Sequence, residues 1–182
     1  MNFLLMALTA LLLQNQTPSN RLDQIWDAAD ERLVRQIDVW FKDGDYPRII
    51  QLLQFRNELY PQDYEVATDL GWMLENVEDD EAAVAVYKRF RARNPGEKDA
   101  PYPEANYYFM KREFAKVPPL IEPTIAKDPH ANSYRILAHS YERMERYAES
   151  VRVWESYLKL HPDDGAAKNN LERVKGKLKK SG

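Results

Sequence analysis

The chain contains no cysteine, only 6 glycines in 182 residues, and a formal net charge of just -3. Without thiols there is no disulfide framework, no thiolate metal site, no thiol nucleophile and no cysteine to carry a lipid anchor. Scarce glycine argues against a β-rich fold that turns tightly at every hairpin. The mild charge lacks the basic excess of a nucleic-acid protein, so no nucleic-acid partner is expected. The three histidines, His130, His139 and His161, form no metal-ligand pair with metal-site spacing. No glycine-rich phosphate loop and no serine in a nucleophile elbow is present. The acidic run Glu78-Asp79-Asp80-Glu81 lacks the alternating ligands and glycine of a calcium loop. It reads as negative charge at a helix start, where the dipole favours it. Catalysis needs polar groups gathered in one place, and none are gathered, so no enzyme, no metal and no cofactor is expected.

What is present is apolar and periodic. Hydrophobic residues are 44%, charged residues 30% and aromatic residues 12%, enough for a core and for solubility. Met1 to Leu13, MNFLLMALTALLL, is an apolar run too short to cross a bilayer, which needs roughly 20 such residues. It matches the apolar stretch of a secretory signal, although no Lys or Arg precedes it. Residues 1–19 therefore read as a signal peptide and linker, placing the protein in the periplasm or outside the cell. The alternative is an N-terminal helix of a cytoplasmic protein or an uncleaved anchor, in which case these residues are the membrane contact.

Four similar phrases end in proline: NELYP at Pro61, RARNP at Pro95, IAKDP at Pro129 and LKLHP at Pro162, spaced 34, 34 and 33 residues apart. Counting back from each proline, other positions agree. Twenty-one residues upstream stand Trp40, Leu74, Tyr108 and Tyr141, and eight upstream stand Leu53, Tyr87, Ile121 and Trp154. Fifteen upstream the slot between two helices holds Tyr46, Asp80, Phe114 and Tyr147. Gly71, Ala105 and Ala138 are small where two helices must approach closely. Within a unit, Tyr134, Leu137, Ala138 and Tyr141 recur at helical spacing, as do Tyr147, Val151, Trp154 and Leu158. A period of this length is the mark of a stacked array.

These phrases resemble the tetratricopeptide repeat, best in LGWML (70–74) with EAAVAVYKRFRARNP (81–95), and in LAHSYERMERYAESVRVWESYLKLHP (137–162). The resemblance covers about residues 30 to 164. It implies an all-α, right-handed superhelical solenoid of helix–turn–helix units, with repeats at about 30–63, 64–97, 98–131 and 132–164 in a single domain from residue 20. Leu22, Trp26, Ala29, Leu33, Ile37 and Trp40 form one stripe, so the first helix is expected to run from about 20 to 42. Asp163 and Asp164 are placed to cap a last helix over 165–180, the capping helix of such an array. The third repeat carries Pro101 and Pro103 before its first helix and Pro118, Pro119 and Pro123 in its second. A proline in a helix interior costs roughly 3 kcal/mol. Its second helix is therefore expected to start late, near Pro118, and to bend at Pro123.

In proteins with this repeat the first helix of each pair lines an inner groove. The register then places Asp38, Phe41, Trp72, Glu75, Tyr102, Asn106, Phe109, Arg135, His139 and Glu142 there, beside Val34 and Thr68. Exposed aromatics beside polar groups are the makeup of a protein-binding hot spot. Core packing beneath the first or last helix is the alternative for the same residues. Chaperone-binding members of the family grip a carboxylate with Lys, Asn and Arg. Here the matching places hold Val34, Asp38, Asp69, Asp99 and Pro103, none of them cationic, so that mode is not expected. The groove reads as suited to an apolar or mixed peptide with some basic character. The tail from residue 166 on has six basic residues against Glu172 alone, a net +5 that leaves -8 of the chain's -3 to residues 1–165. It reads as a solvated capping helix, the alternative being a basic patch that attracts phosphate, acidic protein or anionic lipid. The functional expectation is a non-catalytic adaptor or scaffold holding a protein or peptide. The alternative is a structural or self-associating subunit using the long first helix, with a small-ligand binder using His139, Arg135 and Glu142 as a third. The sequence does not fix the oligomeric state.

Overall fold

The computed structural model describes residues 21–181, so the apolar run and linker of residues 1–19 lie outside the described residues. The described residues contain α and 3₁₀ helices and no strand. No helix among them is long and apolar enough to cross a membrane. The chain divides into two compact units, one ending at Leu52 and the other beginning at Leu53.

The first unit holds α1 (Arg21–Asp43) and the first half of α2 (Tyr46–Leu59). α1 is 23 residues long and buries none of them, although it carries the Leu22–Trp40 stripe. At its end Gly44 takes φ +72° and the Asp45 N–H reaches back to the Trp40 carbonyl at 2.8 Å. Phe41 meets Tyr46 edge-on at 6.1 Å across that turn.

The second unit continues with α3 (Tyr64–Asn76), α4 (Asp80–Arg93), α5 (Tyr102–Met110), α6 (Val117–Ile121), α7 (Ala131–Arg143), α8 (Tyr147–Leu160) and α9 (Gly165–Ser181). α3 packs on α4, α5 on α6 and α7 on α8, while α6 also packs on α7 and α8 on α9. Leu53, Tyr87, Ile121 and Trp154, the residues eight before each proline, are buried. So are Ala83, Val117 and Ser150, four residues earlier in the same phase. The slot fifteen before each proline differs: Tyr46 is exposed and Asp80, Phe114 and Tyr147 are half-buried, because it opens the second helix at the edge of the stack. Gly71 is required: a Cβ there would run into the Tyr87 ring, whose hydroxyl donates to Glu75 at 2.6 Å.

The turn between paired helices repeats with the sequence period. Gly44, Glu78, Arg112 and Glu145 all adopt positive φ, at 72°, 63°, 62° and 60°. After each, an N–H bonds back to the carbonyl of Trp40, Leu74, Tyr108 or Tyr141, at 2.8 to 2.9 Å. This is the left-handed C-terminal cap that satisfies orphan carbonyls, and glycine occupies it at least cost. The four residues twenty-one before each proline, the half-buried Trp40 and the buried Leu74, Tyr108 and Tyr141, thus also anchor the turns.

The proline-rich unit departs as expected. Phe114–Lys116 is 3₁₀, α6 lasts five residues, and Glu122–Lys127 is 3₁₀ again. Pro118 and Pro119 sit in the first turn of α6, where their missing N–H groups are unpaired anyway. Pro123 has no N–H to offer the Pro119 carbonyl, so the α-helical ladder stops at Ile121.

A left-handed non-glycine residue costs roughly 1–2 kcal/mol. Glycine returns part of that gain as chain entropy. Glu78→Gly and Arg112→Gly are each expected to raise stability by about 0.5–1 kcal/mol. The measurement is the urea midpoint at unchanged slope, and a lowered midpoint would contradict the turn geometry.

Candidate functional site

The face projected as a groove begins on α3. Trp72 is 49% exposed there. One turn on, Glu75 is half-buried and accepts the Tyr87 hydroxyl. Burial raises its carboxyl pKa, and the Tyr87 hydrogen bond opposes that rise. On α5, Tyr102, Asn106 and Phe109 are half-buried. Tyr102 meets His130 edge-on at 6.3 Å, and Phe109 meets Phe114 edge-on at 5.5 Å. Asp38 and Phe41 are exposed residues of α1 in the first unit.

On α7 the picture changes, because α9 is fastened to both ends of the same face. At the start of α7, Arg135 donates to Asp164 at 3.1 Å, and Asp164 also accepts the Tyr157 hydroxyl at 3.0 Å. Asp164 caps α9 as well, accepting the Ala167 N–H at 2.9 Å. At the end of α7, Glu142 is 8% exposed and accepts Lys177 at 2.8 Å and Arg173. Ala167, Leu171 and Val174 bury the apolar side of α9 between these fasteners. Two of the projected groove residues, Arg135 and Glu142, therefore hold the last helix in place. His139, between them, is half-buried, lies 3.4 Å from Glu142 and meets Trp154 edge-on at 5.3 Å. Burial pushes its imidazole pKa down, against the pull of Glu142.

Two clefts open on this part of the molecule. One, of about 390 Å³, is lined by Phe109, Met110, Arg112, Phe114 and Arg143. The other, of about 370 Å³, is lined by His139, Glu142, Arg143, Glu145, Tyr147, Arg173 and Lys177. Arg143 lines both. The structure thus brings Phe109, His139 and Glu142 to adjoining clefts, while Trp72, Glu75, Tyr102, Asn106 and Arg135 line neither. The cations Arg112, Arg143, Arg173 and Lys177 outnumber the acids Glu142 and Glu145 here. This differs from the sequence expectation of a groove suited to an apolar or mixed peptide with some basic character. The reason is that Arg173 and Lys177, two of the tail's six basic residues, fold back over α7. Their spacing of four residues on one helix face was visible in the sequence, but the face they meet was not.

Among the described residues no group of three or more His, Asp or Glu could hold a metal ion. The remaining polar contacts run along the stack and mostly lie near its surface. Arg89 reaches Glu58 at 3.1 Å, Lys111 reaches Asp80 at 2.6 Å and Arg152 reaches Glu122, each joining residues about one repeat apart. Exposed pairs of this kind are each worth roughly 0–1 kcal/mol. Buried ones weigh more: Arg91 holds the buried Glu104 at 2.9 Å, and Glu142 is the other case.

Burial pushes the Glu142 carboxyl up, but the hydrogen bonds and charges of Arg173 and Lys177 outweigh it and hold the pKa at about 2. A carboxylate with a depressed folded-state pKa stabilises above its unfolded value and loses that contribution as pH falls through the folded one. Docking of α9 is therefore expected to be constant above about pH 5 and to weaken between about pH 4.5 and pH 2. Glu142→Gln is expected to cost about 1.5–3 kcal/mol at neutral pH and to flatten that acid limb. Hydrogen exchange in α9 across this pH range checks it, and an unchanged acid limb in the variant would contradict the assignment.

No protein-family model matches the chain, and no curated protein matches it. Solved structures do. A MamA crystal structure matches at a TM-score of 0.64 and 17% identity, covering 81% of each chain. The MamA of AMB-1 matches at 0.59 and 19%, covering 82% of this chain and 84% of that one. A MamA from Desulfovibrio magneticus RS-1 matches at 0.58 and 17%, covering 82% and 91%. At this identity the likeness is one of fold, and MamA is a tetratricopeptide-repeat protein. The turn period, the buried register residues and these matches agree: the chain has the all-helical tetratricopeptide-repeat fold.

Proposed function

We propose that the protein is a non-catalytic adaptor that holds a segment of another protein against the first-helix face of its repeats. The observation that carries this reading is the run of accessible aromatics on that face, from Trp72 on α3 to Phe109 at the mouth of an open cleft. Aromatic anchors ringed by polar groups are what protein interfaces use as hot spots. The apolar run Met1–Leu13 supports export, so the partner belongs to the cell envelope or the exterior. Chemical crosslinking and capture from native cells tests the groove. The partner held by wild type is expected to be lost from a folded Trp72→Ala, Phe109→Ala variant. A partner retained by both would move the working surface to the second helices or the chain ends.

A second reading is favoured by one observation: α1 buries no residue while Leu22, Ile25 and Trp26 are each about half exposed. Such a stripe suits self-association or a place in a larger assembly. Sedimentation of the full chain separates the two readings. A dimer abolished by Trp26→Glu supports assembly, and a monomer unchanged by it supports the adaptor.

A further inference from the structure

The two clefts that share Arg143 differ in kind. The first has an aromatic and thioether lining, Phe109, Phe114 and the 69% exposed Met110, with guanidinium groups from Arg112 and Arg143 at its edge. The second is polar, with Arg143, Arg173 and Lys177 around the buried Glu142. Arg173 and Lys177 are committed to Glu142, but Arg112 and Arg143 form no ion pair among the described residues. Most cations near this surface do: Lys111 has Asp80, Lys116 has Glu113 and Arg146 has Glu149. Two guanidinium groups without a carboxylate, beside an apolar cleft, leave an excess of positive field at an otherwise acidic protein's groove. Guanidinium is also the cation best matched to a carboxylate, through paired N–H donors. Glu145, two residues after Arg143, is the one acid lining the second cleft that no neighbouring cation holds, and the four cations lining the two clefts outnumber it together with Glu142.

Resting on the adaptor reading above, we propose that these clefts receive an acidic protein segment. One apolar side chain of the segment seats against Phe109, Met110 and Phe114, and its carboxylates bind Arg112 and Arg143. The Phe109 and Phe114 rings stand edge to face, so they form a pocket for a side chain and not a flat platform for stacked bases. That favours a peptide over a single-stranded nucleic acid.

The test uses the full chain and a display library of random dodecapeptides. Recovered peptides are expected to carry at least two Asp or Glu near a Leu, Met or aromatic residue. Their affinity is expected to fall at least about tenfold in Arg112→Glu, Arg143→Glu. It is also expected to fall as salt rises from about 50 to about 300 mM. Glu78 and Glu145 occupy the turn position of Arg112 with the same backbone, so glutamate is tolerated there. Circular dichroism verifies that the variant is folded, and Arg143→Gln, which removes charge without reversing it, is expected to give a smaller loss. Peptides that depend on Phe109 but lack acidic bias, or that bind the charge-reversed variant as well, would overturn the acidic assignment and leave the groove reading intact. Recovery of no peptide that depends on Trp72 or Phe109 would overturn both. An oligothymidine probe bound as tightly as the peptides would replace the peptide with a nucleic acid.

Discussion

A pair of short amphipathic helices has no interior, and everything else in this chain follows from that. Each pair buries its apolar side only against the next, so the buried residues must recur where the neighbours meet. Leu53, Tyr87, Ile121 and Trp154 meet that demand with four different side chains, which shows that position in the stack matters more than identity. The same demand fixes the turn. A helix that must double back after Leu74, Tyr108 or Tyr141 needs one left-handed residue, and it takes one even when only Glu78, Arg112 or Glu145 is available.

Beyond the α7–α8 pair, α9 continues the packing. Its apolar side covers α8, and polar ties at Asp164 and Glu142 fasten it along α7. Glu142 is where stability and surface chemistry meet. Arg173 and Lys177 satisfy a buried carboxylate and in doing so bring two cations to the wall of a cleft. The charge of that cleft is therefore a by-product of how α9 is held, and it contrasts with the net -8 carried by residues 1–165.

The parts of the fold legible in sequence were those governed by local periodicity. The 34-residue spacing, the long first helix, the last helix begun by Asp164 and the broken ladder at Pro123 all depend on near neighbours in the chain. Gly71 was legible as a close approach, though not that Tyr87 fills the space. The candidate site was harder, because it depends on contacts a full repeat apart. His139 and Phe109, projected onto the first-helix face, come to adjoining clefts, whereas Arg112 and Arg143 were not among the projected residues and Arg173 and Lys177 were read only as part of a basic tail. Arg112 sits in a turn, where a helical register says nothing about direction. Arg173 and Lys177 lie in a tail whose charge reads equally well as solvated. The slot at Tyr46, Phe114 and Tyr147 was legible as the place between two helices, though not that it opens the second helices where the rings are exposed or half-buried.

The working surface is proposed to lie on the first-helix face, with Phe109 of α5 beside the clefts that α7 and α9 line, and a photoreactive residue examines that proposal in the cell. One full-length variant carries it at Phe109, at the cleft mouth, and another at Lys88, an exposed position on α4. On illumination in native cells, a discrete adduct with another protein is expected from position 109 and not from position 88. An adduct from position 88 alone would place partner binding on the second helices and contradict the proposal.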